Sequence, residues 1–254
     1  VDLKRYVRLA ASGQVNVQAK DHIYLDSGQD LNLKKAESSS GQEIQLRSSG
    51  SIYNAADPGA ATISGGDLLL EAANGSIGSE PNPLLVQLTG ALIARAGDSI
   101  FLKRIAGGDF NIDYIYAPNE LNLQALGGIK AAGSSSGANI ATHKLSMDAG
   151  SIGEPNKYLT INLLEKDGSH GQVNAKASAG GIYLEEKAGN LYLNSVSATA
   201  DVILKAAKSI FNSSTDNDMA TVSATKASLI AGEALGSPDN YLLLKVQFLE
   251  AEAQ

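Results

Sequence analysis

The sequence predicts an all-β fold, a right-handed parallel β-helix, on three observations: a phrase that returns three times, short strand-like runs that keep the same beat, and few large side chains. The phrase is Gly75-Ser76-Ile77-Gly78-Ser79-Glu80-Pro81-Asn82-Pro83, then Gly150-Ser151-Ile152-Gly153-Glu154-Pro155-Asn156-Lys157-Tyr158, then a degraded Ala234-Leu235-Gly236-Ser237-Pro238-Asp239-Asn240-Tyr241. Its turn glycines Gly78, Gly153 and Gly236 recur at roughly 80 residues, and a long internal period of this kind signals a stacked, elongated architecture.

Two further markers share the period. Ile23-Tyr24-Leu25, Ile100-Phe101-Leu102 and Ile182-Tyr183-Leu184 recur at nearly the same interval. Each is followed by a turn into a second run: Asp30-Leu31-Asn32-Leu33, Asp109-Phe110-Asn111-Ile112 and Asn190-Leu191-Tyr192-Leu193. Gly50-Ser51-Ile52-Tyr53, Gly127-Gly128-Ile129-Lys130 and Lys208-Ser209-Ile210-Phe211 keep the interval a third time. The chain therefore divides into units of approximately 1–83, 84–158 and 159–241, with the start of a fourth at 242–254. Leu242-Leu243-Leu244 matches Leu84-Leu85-Val86, and the chain opens in mid-phrase at Val1, so a segment of a longer array is expected.

Runs such as Leu68-Leu69-Leu70, Leu121-Asn122-Leu123-Gln124 and Val202-Ile203-Leu204-Lys205 show mostly period-two alternation, as half-buried strands do. They are too short, and too often broken by Gly, Ser, Asn and Asp, to be helices. The chain has 26 Gly, no Cys, no Trp and 5% aromatic residues, which suits a thin column of stacked Ile, Leu, Val and Ala. Propeller blades would be about 40 to 50 residues long with an aromatic motif in each. A coil of roughly 20 residues instead puts about four coils in each unit and gives a rod on the order of 60 Å. In such a rod the repeated Gly supplies a positive-φ turn, Ile77, Ile152 and Leu235 enter the core, and Pro-Asn starts an external turn. A phosphate cradle would need a helix after the Gly-rich loop, and none is predicted.

Leu69-Leu70-Glu71-Ala72-Ala73-Asn74-Gly75-Ser76-Ile77-Gly78, Asn82-Pro83-Leu84-Leu85-Val86 and Leu92-Ile93-Ala94-Arg95-Ala96-Gly97-Asp98-Ser99-Ile100-Phe101-Leu102 resemble the repeats of very large bacterial filamentous haemagglutinin-like exoproteins, particularly the leukotoxin-type adhesins. The resemblance covers nearly all of the chain. It implies a secreted or surface-displayed β-helical fibre, exported through an outer-membrane translocation pore and acting as a stalk or as an adhesive surface for a host-cell or matrix glycan or protein receptor. It carries over no catalytic residue and no cofactor. Two alternatives stand beside it: a β-helical domain that degrades or binds polysaccharide, and the stalk of a toxin-delivery exoprotein.

Charge and candidate sites complete the reading. A net charge of −7, with both signs interspersed, offers no field for nucleic acid or anionic lipid. No segment reaches the roughly 20 apolar residues of a membrane span. Absence of Cys is compatible with export. His22, His143 and His170 are far apart and lack zinc-ligand spacing, so exposed turn or edge histidines are expected. No Gly-x-Ser-x-Gly elbow supports a nucleophile. Asp109 with Asp113, Glu185 with Glu186, or Asp216 with Asp218 are the candidate acid pairs or calcium ligands. Asp109 aligns with Asp30 and Asn190, however, which is the tolerance of a turn former rather than of an acid catalyst. The remaining candidate is a surface-binding aromatic strip of Tyr24, Phe101, Tyr183 and Tyr192, each set between inward apolar neighbours and so directed outward.

Overall fold

The computed structural model describes residues 6–10, 13–133, 137–216 and 218–254. Among them every regular element is a strand, and the strands named in the pairings are all parallel. The chain winds as a β-solenoid of about 11 turns. One ladder of register partners runs Val7, Leu25, Leu46, Leu70, Ala94, Ile115, Ile140, Ile161, Glu186, Ala206, Ala231, Ala253. A second ladder runs Leu31, Ile52, Ile77, Ile100, Leu121, Leu145, Val173, Leu193, Asn212. Each turn gives one strand segment to each ladder, at about 22 residues per turn, within the range of solenoid repeats. At a spacing of about 4.8 Å per turn the solenoid is roughly 53 Å long.

Alternation within each strand builds the core. In Ile23–Ser27 and Leu68–Ala72 every second residue is buried, and the residues between are half-buried. Leu33, Leu46, Leu70, Ile77, Leu84, Leu102, Ile152 and Leu204 are each at most 1% exposed. Burying such a side chain contributes about 1.5–3 kcal/mol. Stacking in register makes this contribution repeat at every turn, so no large aromatic centre is needed.

Register also fixes how the sequence repeat lies on the solenoid. Ile23–Ser27 belongs to the first ladder, Ile100–Arg104 to the second, and Ile182–Glu186 to the first again. Three full turns carry Leu25 to Ala94, and Ile100–Arg104 then follows on the next face of the same turn. Seven turns carry Leu25 to Glu186, in the matching strand two units on. A unit thus averages three and a half turns rather than the expected four, because the coils are longer than the sequence suggested. Successive copies consequently alternate between the two ladders.

Turns between the faces are tied by side chains that reach the neighbouring turn. Asp30 Oδ1 accepts the Ser51 amide at 2.8 Å, Asp109 Oδ1 the Gly128 amide at 2.6 Å, and Asn190 Oδ1 the Ser209 amide at 3.0 Å. The slot needs one carbonyl-type oxygen and not a charge, which is why Asp and Asn alternate in it. Asp67 does the same for the Ala91 amide at 2.7 Å.

Candidate interaction surface

The repeated phrase forms an excursion from the middle of a face. Ile77 pairs with Ile52 and Ile100, whereas the next face residue, Leu84, pairs with Leu102, so residues 78–83 leave the sheet between them. Gly78 starts the departure at φ 67°, and its amide donates to the Ile52 carbonyl at 2.8 Å. A Cβ at Gly78 would lie 2.5 Å from the Phe101 carbonyl oxygen, and at Gly153 2.2 Å from that of Tyr183. Only glycine fits there, for both dihedral and space. Each tip is closed by reciprocal backbone hydrogen bonds: Ser79 with Asn82, Glu154 with Lys157, and Ser237 with Asn240.

The turn below carries a second excursion at the same place, between Asn54 and Ile63, between Ala131 and Ile140, and between Asn212 and Val222. Side chains lock the two together. Asn54 Nδ2 donates to the Pro83 carbonyl at 2.8 Å, and Asn82 Nδ2 returns a bond to the Asn54 carbonyl at 2.8 Å. Two units further along, Asn212 donates to the Tyr241 carbonyl at 3.2 Å and Asn240 to the Asn212 carbonyl at 2.8 Å. Thr62 and Thr221, both fully buried, accept the Leu85 and Leu243 amides at 3.2 and 3.3 Å.

The middle copy, on the other ladder, uses other residues. Asn139 replaces the threonine and accepts the Thr160 amide at 3.2 Å, while Lys157 Nζ reaches the Ala132 carbonyl at 3.0 Å. Lys130 is clamped between Asp109 at 2.8 Å and Glu154 at 3.2 Å, tying the tip to the two turns beneath it. These carboxylates raise the Lys130 pKa. Burial pushes the Asp109 carboxyl up, but its bonds from Lys130 and Gly128 and the charges of Lys130 and Arg104 outweigh this and hold it below the usual range. The two same-ladder pairs of excursions are seven turns apart, about 34 Å.

The four aromatic residues of the expected strip are half-buried and outward-facing, but the structure does not bring them together. Tyr24 and Tyr183 lie on the first ladder, seven turns apart; Phe101 and Tyr192 lie on the second, four turns apart. Each tyrosine instead has local partners. Tyr24 stacks on His22 at 5.8 Å and meets Tyr6 edge-on at 5.9 Å. Tyr192 is flanked by His170 at 4.4 Å and Phe211 at 5.4 Å. Tyr183 meets Tyr158, at the foot of the middle excursion, at 6.5 Å, and Lys205 Nζ sits 4.4 Å from the centre of the Tyr158 ring. Burial, Asp201 and Tyr158 push the Tyr183 phenol up. Alternation along the chain does not single out Tyr158, Phe211, His170 and Lys205, because they belong to different runs. Their signal is the register between turns.

The Glu185–Glu186 pair does not share a face. Glu185 faces outward, whereas Glu186 is 1% exposed and its carboxylate accepts the Leu163 amide at 2.8 Å and the Ala188 amide at 3.0 Å. Burial pushes its pKa up against those hydrogen bonds. Asp216 Oδ1 accepts the Asp218 amide at 2.9 Å, a local turn. Among the described residues no group of three His, Cys, Asp or Glu is placed to hold a metal ion. His22 and His170 are exposed as expected. His143 is not: it is 5% exposed, with Nδ1 donating to the Leu164 carbonyl at 2.8 Å and Nε2 3.3 Å from the Ser169 hydroxyl. The external loop from Leu164 to Gly171 folds back over it, which no strand pattern could announce.

The chain matches no protein-family model, no curated protein and no solved structure.

Proposed function

We propose that this chain is a structural and adhesive segment of a large secreted or surface-displayed bacterial fibre, whose solenoid holds paired excursions at fixed spacing for attachment to a glycan or protein receptor. The observation that carries this reading is the contrast between frame and projection. Frame positions repeat by type, as in Asp30, Asp109 and Asn190. The projecting tips repeat less closely: Ser79-Glu80-Pro81-Asn82-Pro83 in the first copy, Glu154-Pro155-Asn156-Lys157-Tyr158 in the second and Ser237-Pro238-Asp239-Asn240-Tyr241 in the third, where Tyr241 is 65% exposed and Met219, in the excursion of the turn below, 62% exposed. A constant scaffold with variable projections suits multivalent display, in which spacing multiplies weak individual contacts. Export through an outer-membrane pore belongs to the same proposal and rests on the sequence resemblance.

The test is binding of the purified segment to a glycan array and to cultured cells, with Tyr24, Tyr183 and Tyr192 changed to Ser in one variant and Tyr158 and Tyr241 to Ser in another. Loss of binding in the second variant alone assigns attachment to the excursions. Loss in the first alone assigns it to the aromatic residues on the faces. Shortening of an offered polysaccharide would replace the adhesive reading by the enzymatic alternative.

A further inference from the structure

The excursions of the first and third copies wall off one stretch of the second ladder's face. At one end the chain leaves this face between Asn54 and Ile63 and between Ile77 and Leu84. At the other it leaves between Asn212 and Val222 and between Leu235 and Leu244. The turns in between cross the face on Ile100–Arg104, the second halves of Phe110–Gln124 and Ile140–Ala149, Gln172–Ala177 and Leu191–Ala198, with no excursion. They form a floor four turn spacings long, about 19 Å.

Register sets Phe101, Asn122, Ser146, Asn174 and Ser195 in one row along the middle of this floor. All are half-buried and outward-facing. A bulge opposite Asn174 inserts Asn194 and turns it outward as well. Charges keep to the margins, with Glu120 and Lys144 on one side and Lys103, Asp148 and Lys176 on the other. Both signs occur there, so the floor holds no field for an anion.

The row also keeps hydrogen-bonding capacity in reserve. Asn194 Nδ2 donates to Asn174 Oδ1 at 2.7 Å, and Gln124 Nε2 to Asn122 Oδ1 at 3.4 Å. The Asn122 and Asn174 Nδ2 donors, the Asn194 Oδ1 acceptor and the Ser146 hydroxyl have no protein partner among the described residues. They are open to solvent, because unpartnered buried polar atoms among the described residues occur only at Arg47 and Arg104. The first ladder's face differs: its outward charges engage one another, as in Arg8–Asp26 at 3.9 Å and Arg47–Glu71 at 3.3 Å. Aromatic rings stand at both ends of the floor, Phe101 at one and Tyr192 with Phe211 and His170 at the other.

We propose that this floor binds an uncharged oligosaccharide of about four residues, laid along the solenoid axis at about one sugar per turn. Sugar hydroxyls both donate and accept, which matches a row of free amide and hydroxyl groups. The apolar faces of sugar rings suit the aromatic side chains at the two ends. A protein partner would call for a larger apolar centre than the row supplies. The site rests on the adhesive reading for its ligand class and places the contact between the excursions rather than on their tips.

The test is titration of the intact chain with cellotetraose, mannotetraose and maltotetraose, with the corresponding disaccharides, and with tetragalacturonate as the acidic control. The Asn122 and Asn174 side-chain amide resonances report binding. At least one neutral tetrasaccharide should shift both, and bind about tenfold more tightly than its disaccharide. Asn174→Ala combined with Asn194→Ala should weaken binding about tenfold, the worth of one or two hydrogen bonds. Ser146→Lys, which puts a bulky charge in the middle of the floor, should abolish it. These side chains face outward, so circular dichroism should not change. If a variant fails to fold, the wild-type resonances and the dependence on saccharide length decide alone. Unmoved resonances with every neutral tetrasaccharide, equal affinity for disaccharide and tetrasaccharide, tighter binding of tetragalacturonate, or wild-type affinity in Ser146→Lys overturns the proposal. Cell attachment by the wild type separates the two readings. Attachment without any saccharide response removes the floor and leaves the adhesive reading standing, whereas a saccharide response without attachment does the reverse.

Discussion

The first and third copies lock their excursions with the same side chains, Asn54, Asn82 and Thr62 against Asn212, Asn240 and Thr221, whereas the middle copy relies on Lys157, Asn139 and the Asp109–Lys130–Glu154 bridge. Copies on the same ladder thus share their chemistry down to individual hydrogen bonds, and the copy between them reaches the same backbone path by other means. The backbone path is the invariant. What satisfies its carbonyls and amides is interchangeable, provided each buried polar group finds a partner.

The largest expected effect sharpens this comparison at the core. Ile77→Ala and Ile152→Ala each remove a fully buried side chain and should cost roughly 2–5 kcal/mol in urea denaturation. Leu235→Ala, at the partly buried counterpart, should cost less. Equal losses at all three would show that the third excursion is as tightly seated as the others.

Next come the locks. Asn212→Ala leaves the Tyr241 carbonyl and the Ser214 amide without the bonds made at 3.2 and 2.9 Å, a loss of about 1–3 kcal/mol. Asn54→Ala should have a comparable cost, and the double variant should be additive, since the sites are about 34 Å apart. Strong non-additivity would mean that the two excursions communicate along the solenoid.

Smaller still is Gly236→Ala, where the added Cβ meets nothing nearer than 3.6 Å and only the positive φ of 72° is penalised, by about 1 kcal/mol. Gly153→Ala adds a collision with the Tyr183 carbonyl to that penalty, so its Tm should fall further than that of Gly236→Ala. Similar Tm values for the two would remove the steric part of the argument.

The smallest effects are pH slopes of opposite sign. The folded pKa of Asp109 lies below its unfolded value of about 3.9, so its stabilisation is present above that value and is lost as pH falls through the folded pKa. Asp109→Asn, which copies Asn190, should flatten this acid loss. Glu186 is the reverse: its folded pKa lies above the unfolded value of about 4.3, so its contribution worsens as pH climbs from there through the folded pKa. Glu186→Gln should remove that slope in denaturation measured between pH 3 and 7. The test fails for either residue if its substitution leaves the wild-type pH profile intact.

Much of this was legible in the sequence. Alternation in Ile23–Ser27 or Leu68–Ala72 marked strands, the Gly78 and Gly153 phrase marked turns, and the Asp30, Asp109 and Asn190 alignment correctly indicated backbone chemistry. The number of turns per unit was not legible, because excursions such as residues 78–83 add length without adding turns. From that came the dispersal of Tyr24, Phe101, Tyr183 and Tyr192. Residues equivalent in the repeat were expected to share a face, and the extra part of a turn moves alternate copies to the other ladder. Arg104 and Glu186 were hidden for another reason: charged residues at strand ends look solvent-facing, and only register shows that alternation turns them inward.

Because one unit is not a whole number of windings, its removal has a mechanical consequence. Excising a single complete unit would swing everything beyond the cut through part of a revolution about the long axis, whereas excising two would shorten the shaft and leave its azimuth unchanged. Variation in unit number therefore comes in two kinds, odd changes that re-aim the distal projections and even changes that alter only their distance.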